Sequence, residues 1–459
     1  MFNHPVFCIV PLIGLIFREC IAVVCLFVKA WFLKHGSWRR LGVSQFPTQR
    51  PVCPACQKAE GETPSAKPPP VIEHHRGRPG YVDTSNHYCP NPECSYYGWV
   101  GYGNIISNGH PNSGRWRQLQ CTVCNTYFME TKGTIFYRCN TPPDIIWLAL
   151  KALAEGLDIH ATARVFEVEP DTVQDWLNQA AGHMEAVSRY LLHDLHLSSV
   201  QVDELWALLG LRQEKSTRNC RWVWSAVDPV SKLFLAFVVG DRSLDTALLL
   251  IHAVVGMLAS GCVPLFTSDQ WSAYSEALLA HFGHWVEMPR RHKRGRPPKP
   301  RWLPLPALQY AQVVKRRVRG RVVGVSHKIV YGSLAAVEKV ISQTGVGKII
   351  NMAFIERLNL AIRHHVAALG RKVMSLAKTQ VGLEAQLSLC QTYHNLCLPH
   401  SSLRLPLPEP QPTRGEGSAR KWLQRTPAMA AGVTGHIWRM EEVLLFRPPP
   451  WRQPVKMVA

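Results

Sequence analysis

Stretches of period-two and period-3.6 hydrophobicity follow one another along this chain. From Ser198 to Gly210, SSVQVDELWALLG, β-branched and apolar residues surround one acidic pair, Asp203-Glu204, and the run predicts a strand. Arg221–Val227 and Leu233–Val239 predict two more strands, joined by the turn sequence Asp228-Pro229-Val230-Ser231, which makes Asp228 a turn residue. Asp245–Leu258 predicts a helix, Val263–Trp271 a strand ending on Asp269, and Ser272–Phe282 another helix. Asn351–Leu369 predicts a helix whose apolar stripe is Ile355, Leu358, Ile362, Val366 and Leu369; Glu356, Asn359 and Arg363 share a neighbouring face. Three strands, a helix, a strand and a helix suit an α/β domain with a mixed sheet.

Upstream the pattern turns helical. Thr141-Pro142-Pro143-Asp144 predicts an N-cap, a proline at N1 and an acid at N3, and Gly156 stops that helix. Asp158–Phe166 predicts a second, short helix with Ala161 and Val165 as its core face. Glu167-Val168-Glu169 predicts a tight turn, and Pro170 opens a third helix, PDTVQDWLNQAA, burying Val173, Trp176 and Leu177. Two short helices about a tight turn suggest a helix-turn-helix, which would offer Gln174 and Asn178 to a DNA groove. The acidic character of the third helix weakens that reading, and a plain helical linker bundle is the alternative.

Cysteines change the picture before this helical region. Cys89 and Cys94 (CPNPEC) and Cys121 and Cys124 (CTVC) are separated by 26 residues rich in Gly, aromatic and β-branched positions. This spacing predicts a zinc ribbon, whose four thiolates close a tetrahedral Zn²⁺ site. Cys53 and Cys56 form a further pair, but no adjacent second pair completes a site; they lie in a Pro- and Lys-rich linker. At the N-terminus, Pro5–Phe17 and Ile21–Val28 are apolar but shorter than the roughly 20 residues a bilayer span needs. They suggest a buried or amphipathic helix, or a start placed too early, and no stable membrane partner is expected.

Charge points to the partner. The 459 residues carry a net charge of +20 and are 46% hydrophobic, which suits more than one globular domain and a polyanionic partner. Between Arg290 and Arg321 there are 12 Lys or Arg and no Asp or Glu. The Arg294-Gly295-Arg296-Pro297 core resembles a minor-groove AT hook, and Val313–Tyr331 predicts two strands that carry Arg316 and Arg317. A solvated basic loop is the bland alternative.

A carboxylate in an apolar strand is costly to bury unless neutralised or bound to a cation. Asp203, Asp269 and Glu356 are therefore expected to converge on divalent ions. Because adjacent strand residues point to opposite faces, Asp203 and not Glu204 is expected to face that site. Hard carboxylate oxygens suit Mg²⁺ or Mn²⁺.

QVDELW, TSDQWSAY, NMAFIERLNLAIRHHVAALGRK and YHNLCLPHSSLR, in that order, and the closing RTPAMAAGVTGHIW resemble the DDE transposases of bacterial insertion sequences. The group in question joins a zinc ribbon and a helix-turn-helix to a ribonuclease-H-like integrase core. The resemblance runs from about Cys53 to about Trp438. It implies metal ligation by Asp203, Asp269 and Glu356, and leaves Glu204, Asp228 and Asp241 without a role. It implies DNA cleavage and strand transfer, with Arg357, Arg363, Arg371 and Lys372 holding the DNA backbone. The expected partners are double-stranded element ends and target DNA, bound by a homo-oligomer, in the bacterial cytoplasm at the nucleoid. The expected divisions are an apolar segment at 1–48, linker and zinc ribbon at 49–140, helix-turn-helix at 141–192, catalytic domain at 193–405 with a basic insertion at 289–332, and a tail at 406–459. Asp269 and Glu356 are 87 residues apart, more than the compact spacing common in that superfamily, and the insertion accounts for the excess. An inactive, transposase-derived DNA-binding protein and a ribonuclease-H-like nuclease or resolvase are the alternatives.

Overall fold

A computed structural model describes residues 68–72, 84–210, 220–286, 301–371, 375–413 and 417–453. The N-terminal apolar runs, Cys53 and Cys56, Arg294 and Arg296, and Lys372 lie outside the described residues.

Three short strands, β1 (Ile105–Ser107), β2 (Gln118–Cys121) and β3 (Tyr127–Met129), form an antiparallel sheet around a small core of Tyr96, Trp99, Leu119 and Phe128. Three helices follow. In α1 (Pro143–Ala154) the N-cap is Pro142 and has no side-chain cap, so Thr141 does not fill the expected role. The reason is steric: a residue before proline is pushed out of the helical region, which delays the first turn to Pro143. Asp158 caps α2 (Ile159–Phe166), accepting the Ala161 N–H at 2.7 Å. The buried residues of α2 are Thr162 and Ala163, while Val165 is exposed, a correction to the expected face. With only 8 residues to rest on its neighbours, this helix turns its small side chains inward for close approach. Glu167 adopts a left-handed φ of 55° in the turn, and α3 (Pro170–Leu191) then runs 22 residues, burying Val173, Trp176 and Leu177.

The central sheet has six strands in the order β11-β10-β7-β4-β5-β6. These are β4 (Ser199–Leu208), β5 (Cys220–Val227), β6 (Phe234–Gly240), β7 (Leu265–Ser268), β10 (Gln309–Val318) and β11 (Arg321–Tyr331). The strands β4, β5 and β6 meander antiparallel, β7 is parallel to both β4 and β10, and β11 returns antiparallel along β10. A separate hairpin, β8 (Gly283–Val286) with β9 (Arg301–Pro304), brackets the segment between them. Strand parity sorts the core. Val200 and Val202 of β4 face a cluster shared with α4 (Leu244–Val255) and α5 (Ala273–Phe282). Leu205 and Ala207 face the opposite cluster, shared with α6 (Leu334–Thr344), α7 (Ala353–His365) and α8 (Gln380–Thr392). The result is a mixed sheet covered by helices on both faces. All five residues of the apolar stripe expected around α7 are buried, although its last two lie beyond the helix, which ends at His365.

After α8 come the hairpin β12 (Leu405–Gln411) and β13 (Arg420–Leu423), then α9 (Pro427–Ala430) and α10 (Met440–Leu445). Ala428, Trp438, Val443 and Leu444 join the main core. Among the described residues no helix is long and apolar enough to cross a membrane.

Candidate metal and nucleic-acid site

Strand register sets the acidic site. Pairs Ser199↔Leu265 to Gln201↔Thr267 run parallel, so continuing two residues brings Asp203 of β4 opposite Asp269, the first residue past β7. Asp269 accepts the Trp271 N–H at 3.0 Å, and a buried network of Ser268, Tyr310 and Gln312 braces the same turn.

Helix α7 is held over β4 by one buried glutamine. The Gln201 side chain donates to the Asn351 carbonyl at 2.8 Å and accepts the Ile355 N–H at 3.1 Å. Two residues on along the strand is Asp203, and one helical turn on from Ile355 is Asn359; both steps are roughly 5–7 Å. The two meet: Asn359 Nδ2 donates to Asp203 Oδ2 at 2.9 Å, and Ser225 Oγ donates to Asn359 Oδ1 at 3.1 Å. Glu356 lies on the same side of the sheet, one turn before Asn359, with a half-exposed carboxylate paired to Lys315 of β10.

Carboxylate oxygens of Asp203, Glu204 and Asp269 all lie within 4.8 Å of one another. Glu204 therefore stands in the cluster and the Glu356 carboxylate, paired to Lys315, lies outside it, a correction to the expected Asp203, Asp269 and Glu356 trio and to the expectation from strand alternation. Its backbone does point to the other face, toward Tyr274, whose hydroxyl donates to Oε2 at 2.9 Å. Beyond Asp203, however, β4 has no strand beside it on the β7 side, because β7 ends at Ser268. The longer glutamate side chain reaches Asp269 through that gap. Arg242 donates to Glu204 Oε1 at 2.8 Å, sits 3.9 Å from Asp269, and lies over the rings of Trp222 and Trp271. Glu204 is nearly fully buried, its side chain 3% exposed.

The electrostatics follow. Burial, then the charge of Glu204, and to a lesser extent Asp269 and Glu356, push the Asp203 carboxyl up to about 7. Burial and the Asp269 charge also raise Glu204, against the opposing pull of Arg242 and Tyr274. A set of oxygen donors this close disfavours its own ionisation and gains most from a shared hard cation. The residues fit Mg²⁺ or Mn²⁺.

The ribbon offers a different donor set. Cys89 Sγ is 3.5 Å from Cys124 Sγ, and Cys94 Sγ is 3.9 Å from Cys121 Sγ. Tetrahedral Zn²⁺ with Zn–S bonds of ~2.3 Å needs sulfurs about 3.8 Å apart. All four sulfurs lie within 4.8 Å of one another, and the Asn104 amide approaches Cys121 Sγ at 3.4 Å. The four could hold Zn²⁺.

Basic residues line the approach. Beyond β7, β10 continues to Val318 and β11 returns from Arg321, both exposed there, carrying Lys315, Arg316, Arg317, Arg319, Arg321 and Lys328 without a carboxylate. Arg357 and Arg371 are exposed; burial, then the neighbouring charge of Arg371, lowers Arg363. In the third helix of the N-terminal trio, Gln174 donates to Asn178 at 2.9 Å on the solvent-facing side. Arg242 and Lys315 as partners of the acidic residues escaped the sequence reading. Lys315 was inside the basic run, but nothing in the sequence marks Arg242.

No family model matches the chain, and no curated protein matches it. Among solved structures, a chain of the Mos1 strand transfer complex is similar at 12% identity, covering 30% of this chain and 55% of that one, with a TM-score of 0.13. The aligned part thus spans about half of the Mos1 chain.

Proposed function

We propose that this protein is a DDE-type transposase with a ribonuclease-H-like core, cleaving DNA and joining its ends to a target. One observation carries the reading. Asp203, midway along β4, stands beside Asp269 just past the end of β7, and Glu356 is carried on the same side of the sheet by a helix clamped to β4 through Gln201 and Asn359. The mixed six-stranded sheet, an antiparallel meander beside parallel strands with helices on both faces, supports this reading. Two divalent ions held by these carboxylates would activate water or a 3′-hydroxyl and stabilise the leaving oxygen.

The chain's own residues do the rest. Asn359 orients Asp203, and the Trp271 amide orients Asp269. Past the end of β7, β4 and β10 run on with no strand between them, leaving a gap of two strand spacings, roughly 10 Å. Asp269 lies at its floor. The strand β4 with Glu204 forms one wall, and the basic β10–β11 hairpin forms the other. A DNA backbone entering there would meet Arg316 and Arg317 on one side, with Arg357, Arg363 and Arg371 around α7. The four cysteines would hold Zn²⁺ and keep the ribbon folded.

A second reading of the third ligand rests on the closeness of Glu204 to both aspartates. Against it, the Glu204 oxygens accept from Arg242 and Tyr274 and are buried, whereas Glu356, paired to Lys315, is half-exposed to solvent. The test of function is strand transfer. A labelled DNA carrying candidate element ends should be joined to a target plasmid with Mg²⁺ and not with EDTA; cleavage without joining would instead favour a nuclease.

A further inference from the structure

The last described segment of the chain returns to the first folded unit among the described residues. After α10 packs against α1 and α3, His183 Nε2 donates to the Val443 carbonyl at 3.0 Å. Residues 447–453 then lie along the loop that carries Cys89 and Cys94. Tyr88 donates to the Pro448 carbonyl at 3.3 Å. Gln453 accepts the Val100 N–H and donates to the Gly98 carbonyl, both at 3.0 Å. Trp451 meets Tyr97 and Trp99 edge-on. Gly98, at φ 70°, is approached so closely that a Cβ there would sit 2.7 Å from Pro450 and Trp451.

At the head of this strap is Arg447, 4% exposed. Its guanidinium lies 4.4 Å over the Tyr88 ring, next to Cys89, and 5.4 Å over the Phe128 ring. Its Nε and Nη1 are buried without a hydrogen-bond partner, and no carboxylate among the described residues pairs with it. A buried cation so placed is costly unless an anion faces it. Four thiolates on one Zn²⁺ carry a net double negative charge, itself costly to bury alone. Arg447 stacks on Tyr88, the residue before Cys89, and on Phe128 of the ribbon core, so each charge offsets part of the cost of burying the other.

We infer that Arg447 is the buried counter-cation of the metal–tetrathiolate centre, so that metal retention by the ribbon and docking of the 447–453 strap are one coupled event. The inference rests on the zinc reading of Cys89, Cys94, Cys121 and Cys124. It makes Arg447 a positioning residue for a metal it does not ligate, and it gives the zinc a second task, holding the 447–453 strap on the ribbon.

The test uses the full chain and a chromogenic chelator that reports zinc release. The parent should carry zinc and lose it slowly. Arg447→Met, which keeps the packing volume but not the charge, should lose it about 10–100-fold faster, the usual effect of removing an outer-sphere partner. Arg447→Lys should stay close to the parent. Zinc-bearing parent and Arg447→Met with equal release rates would overturn the inference and leave the zinc site standing; a parent free of zinc would overturn both. Should Arg447→Met fail to fold, hydrogen exchange on the unaltered chain decides. Stripping zinc should speed exchange of the Trp451–Gln453 amides, and unchanged exchange would contradict the coupling.

Discussion

At the scale of single residues, the weight falls on Asp203. Because a protonated carboxyl is a poor ligand for Mg²⁺, Asp203→Asn, Asp269→Asn and Glu356→Gln should each abolish cleavage and joining while DNA binding survives, measured by product formation and by filter retention. Glu204→Gln should keep measurable joining if Glu356 is the third ligand; the reverse ranking of the two glutamate variants would give Glu204 that place. The same residue sets a pH dependence. Between the ordinary carboxylate value of 3.8 and about 7, folded protein stripped of divalent ions holds a proton on Asp203 that the unfolded chain has released. Stability of the stripped protein should therefore fall as pH rises across that window, in thermal melts at low ionic strength. Glu276, raised by burial to about 7, acts in the same direction and remains in the variant. Asp203→Asn should make the fall shallower; an unchanged slope would place Asp203 in a more solvated setting than the one described. Asp203 and Asp269 could be singled out from sequence because each stood in or at the end of an apolar run. Glu204 was misjudged because alternation fixes where a side chain leaves the strand and not how far a long one reaches, and β7 stops one residue before Asp269.

At the scale of elements, the hairpin β10–β11 is the clearest candidate for touching DNA. Arg316→Ala with Arg317→Ala should weaken binding to all sequences alike and lower the slope of log affinity against log salt by about 2. An unchanged slope, read by fluorescence anisotropy over a salt series, would make the hairpin a solvated arm. The same experiment on Arg294 and Arg296 tests the AT-hook-like run, which lies outside the described residues. Strands and helices with strong periodicity were legible: the first two helices of the N-terminal trio, the β4–β6 meander and α7 fall within a few residues of their sequence-based bounds, whereas the third helix starts as expected at Pro170 and runs ten residues further, to Leu191. What periodicity did not carry was the burial of α2. A helix of 8 residues has too little apolar surface to set its own orientation, and neighbouring helices decide which side turns in.

At the scale of the whole molecule, distant segments lock the site in place. Gly156, at φ 97°, closes α1 where a Cβ would sit 2.4 Å from the His364 carbonyl, and His365 Nδ1 donates to the Ala154 carbonyl at 2.9 Å. The end of α7 is thus pinned to the end of α1. Gly156→Ala should destabilise the fold by more than about 1 kcal/mol in chemical denaturation, since it adds both strain and a clash. A neutral effect would mean the two helix ends are not in contact. None of this was visible in the sequence, because a contact between residues 156 and 364 leaves no local pattern. The same holds for the closing segment, which reads as a proline-rich tail and yet reaches the ribbon.

The central claim is that carboxylates far apart in sequence share divalent ions. Terbium luminescence tests it most directly, because Trp271 lies beside Asp269 and would sensitise a lanthanide bound there. Saturable, tryptophan-sensitised emission that Mg²⁺ competes away is expected, lost in Asp203→Asn and in Asp269→Asn and weakened in Glu356→Gln. Emission of parental strength and affinity in Asp203→Asn would contradict it.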